Sequence, residues 1–223
     1  MDATSSHDEI SFQIHSRYDP TDYLAKPQSG LLFVLSGPSG VGKDAVINDL
    51  KKQQLRLHFA VTCTTRAIRP GEAEGVSYYF VDAGRFKEMQ RRDELLESAL
   101  VHGNWYGTPV QQVRDALGKG LDVLLKIDVQ GAAQIKKKVP QAVFIFLAPP
   151  SMSELVARLT RRRTESPAEL RLRIENAYEE MAHLSDYDYI VVNYAGRLKE
   201  TVERIQAIVI AEGCKVARRQ IAL

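Results

Sequence analysis

Cysteine is scarce in this chain, with Cys63 and Cys214 the only two among 223 residues, and their isolation excludes a disulfide framework or a cysteine-based metal site. Two such thiols suit a reducing compartment. No apolar run is long enough to span a bilayer. Residues 1–29 lack the apolar core of a secretory signal, and Asp2, Asp8 and Glu9 argue against an organellar transit peptide, so a cytoplasmic location is expected. An excess of either charge is missing as well. Thirty Lys and Arg against 28 Asp and Glu leave a net charge of +2, and no global field recruits nucleic acid or an anionic membrane. A composition of 44% hydrophobic and 26% charged residues is neither disordered nor fibrous; it predicts a globular domain with ample core.

What is present is organised around residues 30–44. The apolar run 31–35 predicts a buried strand, because it is short, continuous and stops at small residues. Gly37, Gly40 and Gly42 follow at once, and glycines permit the backbone angles that turn successive N–H groups inward around an anion. Lys43 adds a mobile positive charge. Val46, Ile47, Leu50, Leu55 and Leu57 predict a helix over 45–57 whose N-terminus faces the same anion. Gly37-x4-Gly42-Lys43 is the phosphate-loop pattern up to its last position, where Asp44 replaces the usual Ser or Thr.

Further along, residues 59–63 predict a second strand, ending in a loop that carries Arg66 and Arg69. Two guanidinium forks there suit a phosphate as well as they suit plain solvation. Residues 78–81 and 95–101 are strand candidates flanking a helix over 84–92, and together they predict a small lobe. Residues 103–109 predict a turn-rich loop before a helix over 110–117. Its aromatics are either ordinary core or, with Thr108 and Glu97, a reader of a nucleobase edge. Residues 122–128 predict a buried strand that delivers Asp128 at its carboxyl end, where open α/β sheets bind ligands. A helix beginning at Gly131, strands at 142–148 and 189–192, and a long helical stretch interrupted around Arg161-Arg162-Arg163 complete the pattern. Strands alternating with helices predict an α/β fold, a mostly parallel sheet covered on both faces. The arginine-rich interruption reads as a mobile flap, the device phosphoryl transfer uses to gather cations and exclude water.

The joint occurrence of Leu35-Ser36-Gly37-Pro38-Ser39-Gly40-Val41-Gly42-Lys43, Thr64-Thr65-Arg66 with Arg69-Pro70-Gly71-Glu72 and Gly75, Gly103-Asn104 with Tyr106-Gly107-Thr108, and Ile127-Asp128-Val129-Gln130-Gly131 resembles the guanylate kinases. The resemblance covers about residues 30–210 and implies a P-loop nucleoside monophosphate kinase-like fold with an inserted nucleotide-binding lobe and a lid. It implies Mg²⁺-dependent transfer of the γ-phosphoryl group of ATP to GMP, and to dGMP. ATP would be held by Gly37, Pro38, Ser39, Gly40, Val41, Gly42, Lys43, Asp44 and Asn193. Arg66, Arg69, Tyr78 and Tyr106 would hold the GMP phosphate, and Thr62, Glu97, Thr108 and Asp128 the guanine. Lys43, Arg158, Arg162 and Arg173 would serve catalysis, with Asp44 placed to meet Mg²⁺. The implied organisation is a tail over 1–29, a kinase domain over 30–211 with its GMP lobe at 62–118 and lid at 158–173, and a C-terminal extension over 212–223. Asp44, Lys126 and Arg163 depart from the family's usual residues. Two competing readings are a non-catalytic guanylate-kinase-like binding module and a related small-molecule kinase with another phosphorylated acceptor. The retained Gly37, Gly42 and Lys43 favour an enzyme over the module.

Overall fold

The computed structural model describes residues 30–53, 55–101, 103–161, 167–216 and 219–223. The N-terminal tail, Arg162 and Arg163 lie outside the described residues. Five parallel strands form the central sheet: β1 (Leu32–Ser36), β2 (Leu57–Phe59), β7 (Asp122–Lys126), β8 (Val143–Ala148) and β9 (Tyr189–Val192), in the order β2-β7-β1-β8-β9. The remaining strands, β3 (Cys63–Thr64), β4 (Tyr79–Phe80), β5 (Leu95–Val101) and β6 (Asn104–Pro109), make a second sheet ordered β4-β3-β6-β5. This is the expected α/β architecture with its separate small lobe.

The continuous apolar strands are explained by burial on both faces. Phe33 and Leu35 pack on one side with Ile145 and Leu147, under helices α1 (Lys43–Leu50), α5 (Met152–Arg161) and α7 (Leu198–Gly213). Leu32 and Val34 pack on the other with Leu125 and Phe144, under α3 (Val110–Gly118) and α4 (Val129–Lys138). Each such side chain contributes about 1.5–3 kcal/mol on removal from water, so the sheet is the rigid frame from which the loops at its carboxyl edge project.

Four local expectations are corrected. The first helix ends at Leu50 rather than 57, and Leu57 opens β2 beside Asp122. Leu55 and Leu57 are two residues apart, the strand period, after a polar run through Lys51 and Lys52 that ends the apolar stripe. The strand expected over 59–63 divides between the two sheets. At the crossing, Gln112 donates to the Val61 carbonyl at 2.7 Å and accepts its N–H at 2.8 Å, so a side chain replaces the ladder where the chain leaves one sheet for the other. Residues 104–109 are a strand and not a loop. β6 pairs antiparallel with β5, and Trp105 stacks on Phe86 of α2 (Ala83–Arg91) with ring centroids 5.7 Å apart. Tertiary pairing here overrides the turn-forming composition. Helix α4 also starts two residues earlier than expected, because Asp128 caps it by accepting the Gly131 N–H at 2.7 Å.

Candidate active site

The loop from β1 to α1 carries the glycines into left-handed backbone, with φ of 140° at Gly37, 82° at Gly40 and 107° at Gly42. At Gly42 a Cβ would stand 2.6 Å from Asn193 Nδ2, so both conformation and space require glycine. Behind the loop, Asn193 donates to the Val41 carbonyl at 2.8 Å and accepts from Thr201 at 3.1 Å. Arg158 donates to the same carbonyl at 3.2 Å, to the Asn193 carbonyl at 2.8 Å, and to Glu154. Both residues therefore brace the outside of the loop, and neither lines the cleft.

Inside the loop, Lys43 donates to the carbonyls of Gly37 and Pro38. Burial pulls its ammonium below the ordinary lysine range, while Glu180, Asp128 and Asp44 oppose that shift. From α6 (Pro167–Ala182), Arg173 donates to Ser39 Oγ at 3.0 Å, and Glu180 accepts the Ser39 N–H at the same distance. Arg173, Ala177 and Glu180 follow the helical spacing of four and three, so one face of α6 rests on the loop. Burial raises the Glu180 carboxyl above its usual range, partly offset by the Ser39 N–H and by Lys43.

The loop opens into a cleft of about 1090 Å³ whose opposite wall is the small lobe. Pro38, Ser39, Gly40, Val41, Gly42, Lys43, Asp44 and Arg173 line it from the loop and α6, Thr62, Arg69, Tyr78, Glu97 and Tyr106 from the lobe, and Asp128 from the end of the central sheet where it caps α4. Arg66 stands just behind that wall, its guanidinium held by Glu72 through bonds of 2.9 and 2.7 Å and by the Tyr106 hydroxyl at 3.3 Å. The Tyr78 and Phe80 rings flank it, with centroids 5.2 and 5.8 Å away. Its side chain is 9% exposed, and pairing with Glu72 strengthens its hold on the proton.

Glu97 is the deepest acidic group in the cleft, 3% exposed. Burial pushes its carboxyl up to about 7, while the Thr108 hydroxyl, donating at 2.7 Å, favours the carboxylate and Asp128 disfavours it. Thr108 is thus a support behind Glu97. The close approach of the lobe to α4 depends on Gly131, where a Cβ would meet Glu97 Oε2 at 2.6 Å.

Residues that sequence reasoning left without a role also reach the cleft, namely Glu169, Glu180 and Lys126. Glu180 had a legible signal, because its helical spacing from Arg173 places it on the loop-facing side. Glu72 was visible only as part of a motif, and its grip on Arg66 across six residues is a product of loop geometry.

Chemically, the backbone N–H groups and Lys43 of one wall suit an anion, and the guanidinium groups and buried carboxyl of the other suit a phosphate and a hydrogen-bond-donating edge. The guanylate kinase family profile matches residues 29–212. A guanylate kinase of Desulfitobacterium hafniense is 45% identical over 190 residues, spanning 85% of this chain and 94% of that protein. The chloroplastic/mitochondrial guanylate kinase 2 of Oryza sativa subsp. japonica is 46% identical over 199 residues, 89% of this chain and 70% of its own length. The crystal structure of guanylate kinase from Anaplasma phagocytophilum superposes with a TM-score of 0.71 at 38% identity, covering 86% of this chain and 90% of that one.

Proposed function

The chain belongs to the guanylate kinase family and is a nucleoside monophosphate kinase acting on ATP and GMP, and we propose that the cleft between phosphate loop and small lobe is where the transfer takes place. One observation carries this reading. A single cleft is lined on one side by Lys43 and the phosphate loop and on the other by Arg69, Tyr78 and Glu97, as in-line transfer between two bound nucleotides requires.

ATP lies with its phosphates against the N–H groups of residues 37–43 and against Lys43. An oxygen of the GMP phosphate attacks the γ-phosphorus, the bond to the β-phosphate oxygen breaks, and ADP and GDP leave. Lys43 and Arg173 stabilise the charge on the moving phosphoryl group, mainly by being in place beforehand. Arg69, Tyr78, Tyr106 and the braced Arg66 hold the acceptor phosphate. Thr62, Asp128 and Glu97, seated on Thr108, address guanine, whose N1 and N2 donors suit a carboxylate as no pair on adenine does. Asn193 and Arg158 keep the loop in shape, with Arg158 and Arg162 assigned to the lid.

Mg²⁺ accompanies ATP in this reading and supplies charge neutralisation at its phosphates. Among the described residues no group of three or more His, Cys, Asp and Glu side chains converges to hold a metal, and the Asp44 carboxylate is paired with the Lys126 ammonium at 2.6 Å. The expectation that Asp44 meets the ion directly is therefore not carried into the mechanism. The domain division at 30–211, with a GMP lobe at 62–118 and a lid at 158–173, belongs to this reading; the second sheet spans Cys63–Pro109, whereas α3 packs on the central sheet and α7 runs through the boundary at 211. Among the described residues no helix is long and apolar enough to cross a membrane; the cytoplasmic location we propose rests instead on the two isolated thiols and on Asp2, Asp8 and Glu9.

The test is the fate of label. With ATP labelled in the γ-phosphoryl group and GMP as acceptor, the label is expected in the β-phosphoryl group of GDP. Its appearance only as inorganic phosphate would argue for hydrolysis and against two nucleotides sharing the cleft.

A further inference from the structure

Lys126 ends β7 of the central sheet, where the sheet meets the cleft, and its side chain is 21% exposed. Its ammonium stands 2.6 Å from Asp44 Oδ1 at the start of the phosphate-loop helix and 3.3 Å from the Tyr78 hydroxyl on the small lobe. It also lies 4.9 Å from the centre of the Tyr78 ring. One cation therefore connects three elements: the donor's cradle, the core strand and the acceptor's wall. Burial disfavours the ammonium, yet Asp44 and Tyr78 outweigh that cost and keep Lys126 protonated beyond the ordinary lysine range.

Fold stability alone is a poor account of this pair. The Asp44 side chain is 75% exposed, and an ion pair with one partner in water contributes little to folding. Asp44 is already favoured by its place in the first turn of α1, where the helix dipole stabilises a carboxylate. What the arrangement does is hold a positive charge at the junction of the two walls. An ammonium has three donors; among the described residues Asp44 and Tyr78 accept two, which leaves a third for an oxygen entering the cleft.

We propose that Lys126 is a phosphate-contacting residue of this kinase, a fixed cation between the phosphate loop and the acceptor lobe that gives the enzyme affinity for ATP without a divalent ion. Asp44 is its positioning partner. By sharing the ammonium with incoming phosphate, Asp44 keeps this charge from binding metal-free nucleotide too tightly. The proposal rests on the reading of the cleft as the nucleotide site.

The two members of the pair then have opposite effects, which a purely structural ion pair does not produce. Binding of ATP to the full chain is measured by calorimetry in the presence of a chelator, alongside Mg²⁺-ATP binding to the parent protein. Lys126→Met is expected to weaken metal-free ATP binding about tenfold or more, the worth of one charge-assisted bond. Lys126→Arg restores most of it, and Asp44→Asn tightens binding severalfold. Circular dichroism and thermal melting confirm that each variant is folded; if Lys126→Met is not, Lys126→Arg against Lys126→Gln makes the same comparison. Equal metal-free binding by parent and Lys126→Met, weakening by both Lys126→Met and Asp44→Asn, or no metal-free binding by the parent overturns the role of Lys126. Failure of the parent to bind Mg²⁺-ATP overturns instead the reading of the cleft on which it rests.

Discussion

Glu180 reaches from α6 to accept the Ser39 N–H at 3.0 Å, so a carboxylate engages one of the loop's backbone donors. An incoming phosphate competes with that carboxylate for the amide and meets its charge. In Glu180→Gln the amide oxygen keeps the bond to Ser39 while the repulsion disappears. ATP affinity is expected to rise roughly twofold to fivefold, the scale of a partly screened charge interaction. Titration of ATP into both proteins checks this, and weaker binding by the Gln variant would mean that the carboxylate serves the loop's shape instead.

Lys43 rests on the carbonyls of Gly37 and Pro38 within the loop. Lys43→Ala is expected to slow transfer about a hundredfold to a thousandfold, the range for losing one preorganised charge donor. GMP binding should stay near the parental level, because the acceptor's contacts belong to the other wall. Single-turnover rates and GMP titration separate the two effects, and parental turnover in the variant would remove Lys43 from the chemistry.

Glu97 links pH to both stability and substrate. Its carboxyl is raised from 4.5 to about 7 in the folded protein, so between those values the folded state keeps a proton that the unfolded state has released. The protonated form favours folding, and that contribution is lost as pH rises through 7. Glu97→Gln carries no such group. Its stability relative to the parent should therefore rise by up to about 3 kcal/mol from the acid end of this window to the alkaline end. GMP affinity of the parent should run the other way, increasing with pH as the carboxylate forms. The Gln variant should bind GMP roughly tenfold to a hundredfold more weakly in alkaline buffer. Melting curves and GMP titrations across this range test both trends, and a parallel pH dependence in the two proteins would remove Glu97 from each account.

Glu72 is a positioning residue. It grips Arg66 by two bonds, and without it the guanidinium keeps, among the described residues, the weaker hold of the Tyr106 hydroxyl, the Ala67 carbonyl and the Tyr78 and Phe80 rings. Glu72→Ala is expected to raise the KM for GMP roughly tenfold with a smaller change in kcat. Rescue by Glu72→Gln, which keeps one acceptor, distinguishes orientation from charge. An unchanged KM would detach Arg66 from the acceptor phosphate.

The sheet and the phosphate loop were legible because both obey local rules. Continuous apolar strands such as 32–36 and 143–148 announce burial on two faces, and glycines around Lys43 announce an anion. The lobe was less legible where long-range partners decide. β6 reads as a turn until it pairs with β5, and the break after Phe59 depends on Gln112, which is 51 residues from Val61. Of the residues taken for the site, most line one cleft. Arg158 and Asn193 sit behind the loop, since only tertiary structure decides which side of a loop a distant side chain approaches. The pairing of Asp44 with Lys126 joins residues 82 apart, and no pattern along the chain foretells it.

Phosphoryl transfer in this cleft to a guanine nucleotide selected by Glu97 predicts a definite order of acceptors. The most direct measurement is ADP formation by the purified full chain with Mg²⁺-ATP and, side by side, GMP, dGMP, AMP and ribose phosphate as acceptors. Rapid ADP formation with GMP and dGMP, and only background with AMP and ribose phosphate, is the expected result. Equal rates with GMP and AMP, or no ADP formed with GMP, would contradict it.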